Sequence, residues 1–414
     1  MATFMAAVEK TCGRLSRGRY SILRKLGAGS HAQVFEADDC ELQKRVAIKY
    51  LYRDRLADPQ AALSILRELD AMSRLAHPNV LPLLDVVVNQ EPAPLQDVFI
   101  VQELMDGTAT ETATHHPCSA PPSDASPADQ SLRIQETMCQ LLLGLEHIHT
   151  TGYIHRDVAT ANILYREREG GGLDIKIGDF GLARDQVPPG GEYDTCNVTQ
   201  LFHRAPEVLL QNMCYTEAID IWGAGCIFAS LLLGRDLFAI ETSRLEDLTD
   251  DQVRQEMLHA ICQRLRLPPG SLGLDVPWTS DPGTHEMTND YGISPATLGC
   301  IPSRPHVTDA ALSLLSKMLA VDPTHRWTAT QLLNHEYFHH EVLQKYRQPK
   351  VAAAAPTTKL CGEPPREFEG KKMELWETWS EIRHLAKELR RMQNAVLWGL
   401  QQAVPSSSAS KTLL

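Results

Sequence analysis

The sequence predicts an α+β fold, with a small β-rich amino-terminal part and a larger helical carboxy-terminal part. Three observations lead there. Short runs of alternating polarity crowd the stretch from Tyr20 to Gln102. Longer runs with apolar residues at helical spacing follow Leu132. Between them and the closing helices, two strands flank a glycine turn in the stretch from Tyr153 to Gly181. The chain has 414 residues, 43% of them hydrophobic, which suits two or three domains or one two-lobed unit with extensions.

Taken in order, residues 1–19 form a leader. From Tyr20 the chain reads YSILRKLGAGSHAQVFEADD. Ile22, Arg24 and Leu26 alternate, as do Val34 and Glu36, so two strands are expected around a glycine turn. Glycine there also lets backbone N–H groups approach phosphate oxygens, which a β-carbon would hinder. Val46-Ala47-Ile48-Lys49 reads as a further strand carrying a lone lysine. Leu63, Leu66, Leu69 and Leu75 recur at helical spacing, and Pro78 ends that helix. Strands are expected at 81–88 and 97–102. Thr, Ala, Pro, Ser and His then dominate to Gln130, a polar insertion with little to bury. His115, His116 and Cys118 read as solvated residues of that loop. Met138, Leu141, Leu142, Leu145 and Ile148 mark one side of a helix over 132–148.

The central stretch reads YIHRDVATANILYREREGGGLDIKIGDFG. Its strands, 162–165 and 174–177, are separated by Gly170, Gly171 and Gly172. Asp157 precedes the first strand and Asp179 follows the second. A hairpin brings those ends together, so Asp157, Asn162 and Asp179 would surround one small volume. An amide and a carboxylate are oxygen ligands of the kind Mg²⁺ prefers, and a further carboxylate can accept a hydroxyl proton.

His155-Arg156-Asp157 with Asn162, followed by Asp179-Phe180-Gly181, resembles the catalytic and metal-binding loops of eukaryotic protein kinases. Gly27-x-Gly29-x-x-Ala32-x-Val34 resembles their glycine-rich loop, with Ala32 in place of the third glycine. Ala205-Pro206-Glu207, preceded by Arg204, and the run Asp220-Ile221-Trp222-Gly223 resemble the proline-directed group, which holds the mitogen-activated and cyclin-dependent kinases. The resemblance covers about Tyr20 to Phe338. It implies a two-lobed domain over 20–338, with the amino-terminal lobe at 20–102, a hinge at 103–106, the polar insertion at 107–130 and the carboxy-terminal lobe at 131–338.

The resemblance also implies roles. Asp157 would orient the substrate hydroxyl and take its proton. Asn162 and Asp179 would hold Mg²⁺, and Lys49, fixed by Glu68, would position the α- and β-phosphates of ATP. Leu26, Gly27, Ala28, Gly29, Ser30, His31, Ala32, Gln33, Val34 and Ala47 would cover the nucleotide. Gln102 would guard the back of the adenine pocket, with Glu103 and Met105 offering backbone groups. Glu207 would pair with Arg326. The implied activity is transfer of the γ-phosphate of ATP to protein serine or threonine, in proline-directed signalling or the cell cycle.

Two departures stand out. The lysine usual two residues after the catalytic aspartate is Ala159, and the arginine that tyrosine kinases place four residues after it is Ala161. Losing one preorganised donor costs about 10²–10³ in rate, well short of the ~10⁶ or more that enzymes supply. An active kinase is therefore the first reading, and a nucleotide-binding scaffold without efficient transfer the alternative. In the activation loop the mitogen-activated Thr-x-Tyr site falls on Thr195-Cys196-Asn197, and Gln200 replaces the usual threonine. An upstream kinase acting on Thr195 would create a phosphate that Arg156 can bind.

Net charge is −12, which argues against nonspecific binding to nucleic acid or anionic membrane. The ten cysteines form no CxxC pair, and no apolar segment is long enough to span a membrane, so cytoplasm or nucleus is expected. His335-Glu336-x-x-His339 matches a zinc-protease pattern, but sits where the kinase domain resemblance ends. A linker is expected at 339–370, an amphipathic helix at 371–403 and a disordered tail at 404–414. That helix would either pack back on the large lobe or bind a partner protein.

Overall fold

Two antiparallel strands, β1 (Tyr20–Ala28) and β2 (Ala32–Asp39), open a five-stranded sheet in this computed structural model. The structure describes residues 2–29, 32–51, 59–88, 97–109, 127–169, 171–188, 191, 193, 195, 198–241, 245, 248–267, 272 and 307–347. The chain divides into two compact units. One holds Met1–Leu69 and Leu83–Leu104, the other Asp70–Pro82 and Met105–Thr357.

In the first unit the sheet is completed by β3 (Lys44–Leu51), β4 (Leu83–Val88) and β5 (Val98–Glu103), in the order β1-β2-β3-β5-β4. Alternation decides which side chains go inward: Phe35 and Ala37 of β2 and Val46 and Ile48 of β3 are buried in one cluster with Phe99 and Val101 of β5. The leader supplies part of this core. Residues Ala2–Leu15 form a helix, α1, whose Val8 and Cys12 are buried against Tyr20 and Ile22. The apolar run at its start and Cys12 share a face at i, i+4 spacing. A second cluster joins Leu51, Val86, Val98 and Ile100 to Leu69 of helix α2 (Pro59–Arg74).

In the second unit helix α3 (Pro127–Thr150) begins five residues before the expected start, and Pro127 at its first position suits a helix amino-terminus. Met138, Leu141, Leu142, Leu145 and Ile148 are buried, as the spacing requires. Strands β6 (Gly107–Thr108), β8 (Ile163–Glu167) and β9 (Leu173–Ile177) form one sheet, and β7 (Tyr153–Ile154) pairs with β10 (Arg184–Asp185). The expected hairpin is present, Ile163 facing Ile177 and Glu167 facing Leu173. Its turn needs glycine, because Gly171 and Gly172 have φ of +94° and +85°. Asn79 ties the hairpin to α3: its side chain donates to Ile175 O and to Gln140.

The remaining helices are α4 (Pro206–Leu209), α5 (Ala218–Leu233), α6 (Asp250–Arg264), α7 (Asp309–Met318), α8 (Ala329–Leu333) and α9 (His340–Arg347). Helix α5 is buried on all sides, and α6 and α8 start with capping boxes at Thr249 and Thr328. Helix α8 ends before His335, so the two histidines of the zinc-protease pattern do not share a helix. His335 Nδ1 accepts from Tyr337 N and Nε2 meets Ser313 Oγ. Among the described residues no helix is long and apolar enough to cross a membrane. The linker expected at 339–370 begins instead as helix α9, because Val342 is buried and Tyr346 Oη accepts from Arg168 Nη1, contacts that a solvated linker would not make. The rest of that linker, the helix expected at 371–403, the tail, most of the polar insertion and most of the expected insertion after Arg266 lie outside the described residues.

Candidate active site

The catalytic-loop residues are built on one buried carboxylate. Asp220, near the start of α5, accepts from His155 N, from Arg156 N and from His149 Nε2, at 2.8, 2.8 and 2.9 Å. Burial alone would raise its carboxyl. The hydrogen bond and charge of His149, the charge of His155 and the His155 N–H hold it below the ordinary value. Helix and loop approach so closely that a Cβ on Gly223 would lie 2.4 Å from Val158 O. Arg156 has φ +67°, a left-handed conformation costly for a side-chain-bearing residue. Its N–H is fixed by Asp220 and its carbonyl by Thr199 Oγ1 at 2.7 Å.

Asp157 follows directly. Asn162 Nδ2 donates to Asp157 O at 2.8 Å and to Asp157 Oδ2 at 2.7 Å. Gln200 N donates to the other carboxylate oxygen at 3.1 Å. Burial raises the Asp157 carboxyl and the charge of Asp179 adds to it. His155, Asn162 and the Gln200 N–H act the other way without reversing the shift. Asp179 sits at φ +57° just past β9, and Gly178 N donates to Asn162 O. A Cβ on residue 178 would lie 2.5 Å from Leu164 Cδ1, so the end of that leucine would have to shift to admit one. Below them His155 donates from Nε2 to Gly178 O and meets the Phe180 ring edge-on at 4.8 Å. Asp157, Asn162 and Asp179 are thus brought together as expected from the hairpin.

The amide nitrogen of Asn162 is spent on Asp157, which leaves its oxygen as a donor for a cation. With the Asp179 carboxylate this is an all-oxygen set, the chemistry that Mg²⁺ takes and zinc rarely does. The structure therefore fits the metal the sequence implies. No cation stands two or four residues beyond Asp157: Ala159 is fully buried and Ala161 half-buried.

In the first unit Lys49 Nζ lies 2.6 Å from Glu68 Oε1, with Glu68 3% exposed. Lys49 faces Val34 and Ile100 across the sheet, and Ala47 faces Gln102. Gly27 pairs with Val34 and Ala28 with Gln33, and Gly29 N donates to Ala32 O. An added Cβ on Gly27 would meet nothing within 4 Å. Packing within the protein does not demand glycine there. Leu26, at the end of β1, is partly exposed. Ser30 and His31 lie outside the described residues. Glu103 ends β5, and in the second unit Met105 Sδ accepts from Arg166.

Glu207 and Arg326 form the expected buried pair, with Nη1 to Oε1 at 2.7 Å and Nη2 to Oε2 at 3.1 Å. Thr195 and Arg156 are linked through a third residue. Arg156 Nη1 donates to Tyr215 Oη at 2.5 Å, and Tyr215 Oη donates to Thr195 O at 2.8 Å. Sequence reasoning did not find Tyr215, Tyr193 or the anchoring role of Asp220. An acid inside the apolar run AIDIWGAG was the one available signal.

Residues 20–338 match the protein kinase domain family. The chain is 32% identical over 343 residues to the mitogen-activated protein kinase hog1 of Trichoderma harzianum, covering 80% of this chain and 81% of that one. It is 32% identical to the mitogen-activated protein kinase hog-1 of Neurospora crassa and 33% identical to HOG1 of Blumeria graminis, each over 77% of this chain and 78% of the relative. The chain belongs to the mitogen-activated group of protein kinases. As a member of that group it is a protein serine/threonine kinase that uses ATP and Mg²⁺. The scaffold alternative rested on Ala159 and Ala161 alone, and nothing in the comparisons supports it.

Proposed function

We propose that this kinase performs phosphoryl transfer with Asp157 as the group that orients the substrate hydroxyl and takes its proton. The observation that carries the reading is the Asn162 side chain, bonded at once to the carbonyl and the carboxylate of Asp157. That bond fixes the base and turns the amide oxygen to metal duty beside Asp179. Bound Mg²⁺ supplies neutralising charge on the phosphates. Lys49, held by Glu68, offers a fixed positive charge to the α- and β-phosphates, under the loop that carries Gly27 and Gly29. Gln102, Glu103 and Met105 take the adenine. Positioning and preorganised charge account for catalysis of this kind.

Selection of proline after the phosphoacceptor is the finer part of the proposal. Thr199 has φ +63°, and its carbonyl accepts from Arg204 Nη2 at 3.0 Å. A carbonyl engaged by Arg204 is a poorer acceptor for a substrate N–H at that place, and proline has none to lose. Protein substrates and an upstream kinase acting on Thr195 follow from the same reading, in the cytoplasm or nucleus.

The test is transfer of labelled γ-phosphate from Mg·ATP to a basic protein substrate, with Asp157→Asn alongside. Transfer lost in the variant and on chelation of Mg²⁺ is expected. Equal transfer by the variant would refute the role of Asp157. Matched peptides with Ser-Pro and Ser-Ala decide the specificity, the first expected to be preferred at least tenfold.

A further inference from the structure

Arg156 is fully buried, although its guanidinium is among the costliest groups to take from water. Its surroundings explain how it is kept there. Nε donates to Leu182 O at 2.7 Å and Nη1 to Tyr215 Oη at 2.5 Å. The Tyr193 ring lies 5.4 Å and the Tyr215 ring 6.0 Å from its central carbon, both within cation–π range. The two rings are stacked, with centroids 4.5 Å apart and planes 10° from parallel.

The same tyrosines hold the activation segment. Tyr215 Oη donates to Thr195 O, Tyr193 N donates to Met213 O, and Tyr193 Oη accepts from Val187 N. The Tyr215 hydroxyl therefore joins Thr195 of the segment to the arginine preceding Asp157, beside the direct bonds between Arg156 and both Leu182 and Thr199. That arginine has a strained backbone, anchored by Asp220 at its N–H and Thr199 at its carbonyl. Such strain persists only where surroundings over-determine it. Tyr215, with the Leu182 carbonyl, holds the side chain.

We propose that Tyr215, with Tyr193 stacked on it, is a positioning residue for phosphotransfer, holding Arg156 and hence Asp157 in place without a phosphate on the segment. The proposal rests on the reading of Asp157 given above. The Tyr215 hydroxyl holds the Thr195 carbonyl, not its side chain, so a phosphate on Thr195 Oγ1 would add to a contact that is already made.

The experiment compares unphosphorylated parent, Tyr215→Phe, Tyr193→Phe, Tyr193→Ala, Thr195→Ala and Asp157→Asn, with hydrogen exchange across residues 182–199 as a second readout. Tyr215→Phe keeps the ring and loses the hydroxyl. It is expected to lower kcat about tenfold, the scale of a hydrogen bond to a charged group, with the KM for ATP within about twofold. Exchange in the segment rises. Tyr193→Phe loses the bond to Val187 N and is expected to lower kcat about threefold, and Tyr193→Ala about tenfold, because the latter also uncovers Arg156. Thr195→Ala keeps kcat within about threefold. A Tyr215→Phe variant equal to the parent in rate and exchange overturns the proposal while leaving the kinase reading intact. So does a parent that transfers only after Thr195 is phosphorylated. Transfer undiminished in Asp157→Asn removes the reading of Asp157 and the proposal with it.

Discussion

The catalytic loop and the glycine-rich hairpin are built on opposite plans. Around Asp157 the N–H groups of His155, Arg156 and Asp157 and the carbonyls of Arg156 and Asp157 have internal partners, and Gly223 is crowded by Val158 O. Around Gly27 there is space within 4 Å and no packing reason for glycine. The first region spends its residues on holding itself in place. The second leaves room beside its glycine. The contrast separates a glycine that packing demands from one that packing does not explain.

The largest effect should come from the chemistry itself. Asp157→Asn is expected to lower kcat by about 10²–10⁴, the range for loss of a general base. Its thermal midpoint should stay level or rise, since burial disfavours the charge removed. A variant that merely unfolds would break the contrast. Asp220→Ala is next: it strips acceptors from two backbone N–H groups and His149, and is expected to destabilise the kinase by about 3–5 kcal/mol in urea titration.

The pH dependence of stability sharpens the point. The Asp220 carboxyl is held below its ordinary value in the folded protein, so the unfolded chain binds the proton first as pH falls. Its contribution is complete above the ordinary carboxylate range and is lost as pH drops toward the folded value. Asp220→Asn should flatten this part of the acid unfolding curve.

The glycines complete the comparison. Gly223→Ala drives a methyl onto backbone that cannot swing aside, and is expected to cost about 1–3 kcal/mol. Gly27→Ala should change stability by less than about 0.5 kcal/mol and instead raise the KM for ATP severalfold. Loss of stability at Gly27 without a change in KM would erase the distinction.

What the sequence made legible follows the same division. Local periodicity and a glycine turn were enough to place Asp157, Asn162 and Asp179 together, because a hairpin is a short-range object. The pairing of Lys49 with Glu68 and of Glu207 with Arg326 rested on resemblance, and both pairs are formed. Asp220 stayed hidden because its three donors come from residues more than sixty positions away. The leader helix was missed for another reason. The run from Phe4 to Val8 is too short to signal a helix until Cys12 is seen to share its face.

That leader bears on how the protein is handled. A fragment trimmed to begin at Tyr20 matches the family boundary yet removes Val8 and Cys12 from a shared core. Each such side chain is worth about 1.5–3 kcal/mol of burial. The trimmed domain would bare Tyr20 and Ile22 to solvent, leaving a sticky surface where a crystallographer hoped for a clean edge. An expression vector that keeps the first residues, with any affinity tag at the other end, preserves the sheet's own cover.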